Sequence, residues 1–167
     1  MAEITQQTDN RRVFIDTLIE LAEKDDRVVL IVPDVGFNYI EKFQEKFPTR
    51  FFNFGVTEQS VILIASAMAL AGFKPYVYSM INFVLFRPYE MVRNGIVHHS
   101  ANVKLLGVKG SSSYKFLGFS HNMTDEGEDL RACQNLGLDF VSPERPENVA
   151  HFIHKTYETG RPTYIRL

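Results

Sequence analysis

The sequence has one cysteine and almost no excess of either charge, and these two shortages exclude whole classes of protein. Because Cys133 has no second cysteine in the chain to pair with, we expect a small buried hydrophobic residue there, and neither a disulfide nor a nucleophile. A net charge of −2 and a pI near 6.2 leave no broad basic surface. We therefore expect that nucleic acid is not a main partner.

The chain also lacks the patterns of metal sites and of membrane segments. Its histidine and cysteine spacings match no metal-binding motif, so we predict no metal ligands in this chain. Residues 1–4 contain no apolar signal core, and polar residues and Gly72 interrupt the longest mostly apolar stretch. These features predict a cytoplasmic protein without a membrane span.

The composition is enough to build one good hydrophobic core. The chain has 167 residues, of which 45% are hydrophobic and 23% are charged. No repeat, linker or low-complexity tract divides it, so we predict a single domain over residues 1–167.

Apolar patterning predicts helices and strands in regular succession. A helical stripe occupies residues 9–24, and the continuous β-branched run at residues 27–32 is typical of a buried parallel strand. Further helices are predicted at 39–47, from 58 onward, 87–99, 128–136 and 146–158, and further strands at 50–53, 75–79, 103–108, 139–142 and 163–167. This order favours an α/β fold with three layers, a doubly wound, mostly parallel sheet between helices.

Ligands of such sheets bind beyond the carboxyl ends of the strands. Four segments fall there, namely residues 33–37, 54–58, 80–86 and 109–121. Their convergence is the best structural argument for a site, although the topology alone would equally fit a flavodoxin-like or receiver domain.

Glu58 is the first candidate for a catalytic residue. It opens a helix whose residues 61–71 are almost all apolar or small, which predicts a buried helix. Thr57 is a good N-cap residue, and a carboxylate in the first turn is stabilised by the free N–H groups. At the mouth of a buried helix we expect Glu58 to be partly desolvated, with a raised pKa that suits proton exchange with a ring nitrogen. The alternative is an ordinary helix-start glutamate.

Residues 53–59, Asn-Phe-Gly-Val-Thr-Glu-Gln, followed by small residues as far as Gly72, resemble the pyrimidine-binding, central domain of transketolases. In these thiamine-diphosphate enzymes the glutamate of Gly-x-x-Glu-Gln touches the aminopyrimidine of the cofactor. The resemblance covers nearly the whole chain, including its end at residues 160–167, Gly-Arg-Pro-Thr-Tyr-Ile-Arg-Leu. It implies the thiamine-diphosphate-binding fold, here as a stand-alone chain, with Glu58 as the activating residue.

The segment from Ser79 to Arg87 resembles the part of transketolases whose aromatic side chains stack on the aminopyrimidine. Phe83 and Phe86 fall on aromatic positions, and Met80 stands where many relatives have another aromatic residue. The resemblance therefore implies that Met80, Phe83 and Phe86 contact the cofactor, since aromatic rings and thioethers both pack on heteroaromatic rings. The alternative is that they are core residues.

The long segment at residues 109–121 matches the transketolase loop that ends in Gly-x-Thr-His, which makes His121 a catalytic, substrate-contacting histidine by resemblance. Lys109 stands where the family has a histidine and is a candidate for binding an anionic substrate group. The acidic residue of the family falls at Leu117, and its phosphate-gripping arginine falls near Thr8, so the resemblance leaves the donor substrate open. A surface histidine without a role is the alternative.

The family's Gly-Asp-Gly motif, followed by asparagine, is absent from this sequence. The resemblance therefore implies a partner chain that supplies the diphosphate and Mg²⁺ ligands, in a homodimer or hetero-oligomer. The predicted function is two-carbon ketol transfer by a transferase acting on a small ketose or 2-oxo acid. Alternatives are a deoxyxylulose-phosphate-synthase-like or 2-oxo acid dehydrogenase β-like component, or a non-catalytic regulatory or scaffold remnant of the fold.

Overall fold

The strands of the computed structural model form one parallel sheet. The structure describes residues 9–110 and 112–167. Its strands are β1 (Val28–Val32), β2 (Phe51–Asn53), β3 (Lys74–Met80), β4 (Lys104–Val108), β5 (Asp139–Val141) and β6 (Thr163–Arg166), and its α-helices are α1 (Asn10–Lys24), α2 (Glu41–Lys46), α3 (Glu58–Leu70), α4 (Tyr89–Met91), α5 (Glu128–Leu136) and α6 (Pro146–Thr159). The strand order is β2-β1-β3-β4-β6-β5, with every pairing parallel. The predicted α/β fold is thus confirmed.

Each face of the sheet carries its own hydrophobic core. Along β1, Val29 and Ile31 point into the core shared with α3 and α5, whereas Leu30 points into the core shared with α1 and α6. Both sets are fully buried, which is why the strand is apolar without interruption. Because all strands run the same way, their carboxyl ends meet at one edge of the sheet.

The helix predicted to begin at residue 87 begins earlier. A π-helical turn, Asn82–Phe86, follows β3 almost directly, and a second one, Val92–Val97, follows α4. Pro88 has no N–H to donate, and just before it the hydrogen-bond ladder is shifted, with the Arg87 N–H donating to the Asn82 carbonyl oxygen at 2.8 Å. Phe83 therefore lies on a helical turn at the carboxyl edge of the sheet.

Helix α3 packs closely on the second π-helical turn. The Ser66 hydroxyl donates to the Gly95 carbonyl oxygen at 2.6 Å, and a Cβ atom at Gly95 would lie 3.1 Å from the Leu63 side chain. The prediction that α3 is buried around most of its circumference is wrong, because Leu63 and Leu70 are exposed. One apolar face of this helix has no cover within the part of the chain that the structure describes.

The structure also bears on the predictions for Cys133 and for a membrane span. Cys133 is buried, as predicted, and burial, reinforced by the nearby Asp129, raises the pKa of its thiol to about 12. No helix formed by residues 9–110 and 112–167 is long and apolar enough to cross a membrane.

Lys104 is buried where β4 begins, at the edge of the sheet formed by the amino ends of the strands. Its Nζ donates to Oδ1 of Asn102 at 2.6 Å and to the carbonyl oxygen of Arg161, and neither acceptor is charged. Burial, together with the positive charge of Lys74, lowers the pKa of Lys104 to about 8.

We expect Lys104→Met to flatten the pH dependence of the free energy of unfolding between about pH 8 and pH 10. In the wild type, the lowered folded-state pKa means that the unfolded chain binds more protons in this range, so stability rises with pH by on the order of 1–3 kcal/mol. Methionine fills similar space without a charge. Urea unfolding of both proteins at several pH values measures this, and parallel curves would contradict it.

Candidate functional site

A cavity of about 410 Å³ opens at the carboxyl ends of β1, β3 and β4. It is lined by Met80, Phe83, Lys109 and His121, all four of which are candidates from the sequence. The other lining residues are Arg11, Asp34, Val35, Gly36, Phe37, Asn38, Tyr39, Tyr78, Ser79, Val108 and Tyr114. The structure therefore brings together three of the four segments that were expected to converge.

Glu58 opens α3, is not among the residues that line the cavity, and has a side chain that is only 6% exposed. Its Oε1 accepts a hydrogen bond from Nη1 of Arg87 at 2.6 Å. Thr57 does not cap the helix as predicted, because its hydroxyl donates to the Phe54 carbonyl oxygen at 2.9 Å. Glu58 is thus desolvated as expected, and it is held as an ion pair.

Arg87 links Glu58 to the aromatic segment. Its guanidinium carbon lies 4.2 Å from the centroid of the Phe83 ring, at a distance typical of a cation–π contact. Arg87 was not a candidate from the sequence, because its partner in the ion pair is 29 positions away. The one available signal was its position four residues after Phe83, which places the two side chains on the same side of a helical turn.

Phe86 occupies a different environment from Phe83. It is half-buried and packs against the core on the α3 side of the sheet, and it does not line the cavity. Met80, at the end of β3, does line the cavity. Contact of Met80, Phe83 and Phe86 with a cofactor stays a prediction.

The segment that precedes His121 forms short 3₁₀ turns, with a break at Gly118, where φ is 60°. The His121 ring is stacked on Tyr114, with ring centroids 5.8 Å apart, and meets Phe83 edge-on at 5.0 Å. Asn122 secures the segment, since its Nδ2 donates to the carbonyl oxygens of Tyr114 and Gly118, each at 2.9 Å. His121 is therefore held at the cavity wall by aromatic contacts and by its neighbour.

The cationic side chains that line the cavity are already paired. Arg11 binds the Asp9 carboxylate, and the Tyr39 hydroxyl donates to the same carboxylate at 3.0 Å. Burial raises the pKa of Asp9, but hydrogen bonds from Arg11 and Tyr39 outweigh it and hold the pKa at about 2. Lys109 forms an ion pair with Glu126. The position expected for the family's arginine, Thr8, lies outside the described residues.

Comparisons with known proteins agree with this architecture. The family model of the transketolase pyrimidine binding domain matches residues 6–167. One subunit of the apulose-4-phosphate transketolase of Phocaeicola vulgatus is 29% identical over 158 residues, which cover 94% of this chain and 50% of that protein. The 1-deoxy-D-xylulose-5-phosphate synthase of Desulfitobacterium hafniense is 31% identical over 163 residues, which cover 93% and 24% of the two chains.

Among solved structures, one described as "split gene transketolase, inactive beta4 tetramer" superposes with a TM-score of 0.83. It is 26% identical in sequence, and the match covers 96% of this chain and 51% of that chain. The present chain thus spans about half the length of the apulose-4-phosphate transketolase relative and of this solved chain. From the family match over almost all its residues, the chain belongs to the transketolase pyrimidine-binding domain family.

Proposed function

We propose that this chain is the pyrimidine-binding subunit of a split, thiamine-diphosphate-dependent transketolase-like enzyme that catalyses two-carbon ketol transfer. One observation carries the proposal. The buried carboxylate of Glu58 and the ring of Phe83 contact the same planar, nitrogen-bearing group, the guanidinium of Arg87.

This arrangement fits the pyrimidine half of the cofactor. Membership of the family implies dependence on thiamine diphosphate. An aminopyrimidine needs a flat apolar surface and an acid–base group in its plane. Phe83 offers the surface, and Glu58 offers the carboxylate in a place where little water competes for it. Met80 extends the surface with a thioether.

When bound, thiamine diphosphate supplies the carbon nucleophile that attacks the carbonyl group of a ketose or 2-oxo acid. The role of this chain would be to bind the pyrimidine and to hold a proton at one of its ring nitrogens. Glu58 would hold a proton at a ring nitrogen of the pyrimidine, and its burial would keep water away from that proton. Phe83 would hold the pyrimidine by offering it a flat apolar surface.

His121 contributes a defined hydrogen-bond acceptor. We assign the Ser120 hydroxyl as donor to the Leu117 carbonyl oxygen, 2.8 Å away, and in this assignment its oxygen accepts from Nδ1–H of His121 at 2.7 Å. Neutral His121 then carries its free lone pair on Nε2. At the cavity wall, Nε2 can accept a proton from a hydroxyl group of the substrate.

We infer that a second chain completes this site. The sequence has no Gly-Asp-Gly motif for the diphosphate and Mg²⁺, and the cavity-lining Arg11 and Lys109 are committed to carboxylates. Exposed apolar side chains flank Glu58 and continue along α3, at Phe54, Val56, Leu63 and Leu70. An apolar surface of this kind marks an interaction site. The solved split-gene relative is itself described as an inactive tetramer of one subunit type.

The deoxyxylulose-phosphate-synthase-like condensation is the second candidate, because one such synthase is 31% identical to this chain. It would use Glu58 and Phe83 in the same way and differ in the acceptor. A 2-oxo acid dehydrogenase β-like component and a non-catalytic remnant are the remaining alternatives. An inert complex of this chain with a Gly-Asp-Gly partner would favour the remnant.

We expect the chain alone to bind thiamine diphosphate weakly and without turnover, because the diphosphate lacks its metal ligands. Titration calorimetry should show tight binding only after the co-encoded partner chain and Mg²⁺ are added. Tight, Mg²⁺-dependent binding by this chain alone would contradict the shared site.

In the reconstituted complex, Glu58→Gln should slow hydrogen–deuterium exchange at C2 of the cofactor by on the order of 10²–10⁴, because the amide keeps the shape of the side chain but exchanges no proton. Acid quenching followed by NMR measures the exchange. Glu90→Gln, a change of the same type at an exposed position, is the control. Equal exchange rates in the Glu58 variant and the wild type would remove Glu58 from the mechanism.

Ser120→Ala should release the tautomer of His121, since no hydroxyl oxygen remains to accept from Nδ1–H. We expect the ¹⁵N chemical shifts of the imidazole to change from a predominant Nδ1–H form to a mixture of tautomers. Ser120→Thr keeps the hydroxyl and should keep the wild-type spectrum. An unchanged spectrum in the alanine variant would show that Ser120 does not set the tautomer.

A further inference from the structure

Arg87 makes both contacts that the cofactor's ring would need. Its Nη1 lies 2.6 Å from Oε1 of Glu58, and its guanidinium carbon lies 4.2 Å from the centroid of the Phe83 ring. Within the described residues, no other side chain donates a hydrogen bond to the Glu58 carboxylate. The pyrimidine half-site, defined as Glu58 and Phe83, is therefore filled by a residue of this chain.

A guanidinium is a close chemical match to an aminopyrimidine. Both are planar and delocalised, both present N–H groups at the edge, and both stack on an aromatic face. The two contacts of Arg87 therefore compete with those of the ring for Oε1 of Glu58 and for the face of Phe83 that the guanidinium covers. A lysine would not fill the half-site in this way, because its ammonium group has no flat face.

Arg87 and Glu58, the two members of the ion pair, differ in how freely their side chains can move. The Arg87 side chain is 43% exposed, whereas that of Glu58 is 6% exposed. The Arg87 backbone is held by its N–H, which donates to the Asn82 carbonyl oxygen at 2.8 Å, and Pro88 follows it. Movement is thus confined to the long side chain of Arg87, which can swing into water while Glu58 stays in place.

We propose that Arg87 is a latch, a side chain that occupies the pyrimidine half-site in the chain on its own and leaves it when the cofactor's ring enters. This inference rests on the proposed function, because it takes Glu58 and Phe83 as the cofactor's contacts. The latch gives the buried Glu58 a counter-charge before the cofactor arrives, which avoids an unpaired buried carboxylate. It also makes cofactor entry depend on breaking one ion pair.

Binding of 4-amino-2-methylpyrimidine to the full chain, followed by ligand-detected NMR, tests the latch without the partner. We expect Arg87→Ala to bind this probe about 5- to 30-fold more tightly than the wild type, the range set by one exposed ion pair and one cation–π contact. Arg87→Met keeps a long side chain but can neither donate to Glu58 nor place a planar cation on Phe83, so it serves as the second variant if the alanine protein does not fold. Thermal unfolding checks that each variant is folded.

Arg93→Ala is the matched control. Arg93 lies about one and a half helical turns further on, is exposed and contacts Asn94 through its Nε, at 3.1 Å from Oδ1. Removing it changes the net charge by the same amount and should leave probe binding as in the wild type. In the wild type, saturation with the probe should also shift the Nε–Hε resonance of Arg87 toward that of a free arginine.

The outcomes separate the latch from the function on which it rests. If the Arg87 variants bind the probe equally or more weakly than the wild type, or if the Arg87 resonance does not move, Arg87 stays beside the ring and the latch is overturned. If no variant binds the probe, Glu58 and Phe83 do not form a pyrimidine site. That result would overturn the proposed function and the latch together.

Discussion

The close packing of α3 against the helical segment after β3 is the contact on which the candidate site depends. Glu58 belongs to α3, while Phe83 and Arg87 belong to the other segment, so neither segment alone forms a site. Gly95 has no side chain to hold the two apart, and the Ser66 hydroxyl joins them by a buried hydrogen bond. A rigid contact between helices thus sets the position of the carboxylate relative to the ring.

Two buried carboxylates of this chain, Asp129 and Glu58, differ in how completely their partners enclose them. This difference indicates which of them stabilises the fold and which is suited to binding a ligand. Asp129 has no exposed surface, and it accepts hydrogen bonds from the Tyr164 hydroxyl at 2.9 Å and from Nε of Arg166 at 2.8 Å. Its partners are themselves buried or nearly so. Glu58 depends on the half-exposed Arg87 instead. A buried charge with a removable partner is suited to receiving a ligand, whereas a fully enclosed one stabilises the fold.

The cationic side chains that line the cavity are offset by carboxylates. Arg11 is neutralised by Asp9, and Lys109 by Glu126, so little positive potential remains for a second anionic group. A phosphorylated donor would have to break these pairs or be held by residues outside this chain. The similarity to one chain of an apulose-4-phosphate transketolase and to a deoxyxylulose-phosphate synthase therefore supports membership of the family but does not identify the substrate.

Local sequence signals were enough for the architecture. Alternating helices and strands predicted the parallel sheet, and because parallel strands end at one edge, they also predicted that the segments carrying Met80, Phe83, Lys109 and His121 would meet. The main errors of the predictions were also local. They are the start of the helical segment at Asn82 instead of residue 87, the absent cap at Thr57 and the exposed Leu63. The first two arose where a hydrogen-bond partner overrode an intrinsic preference, whereas Leu63 is exposed because its face of α3 has no cover within the described residues.

The sequence by itself determined the fold class, the helix-start position of Glu58 and the edge of the sheet at which the cavity opens, because these follow from periodicity and chain direction. Only the tertiary structure decided that Arg87 pairs with Glu58 and covers Phe83, and that Tyr114 stacks on His121. Such contacts join side chains from separate segments, and they depend on distances of a few ångströms that arise once helices pack on the sheet. No pattern along the chain records those distances.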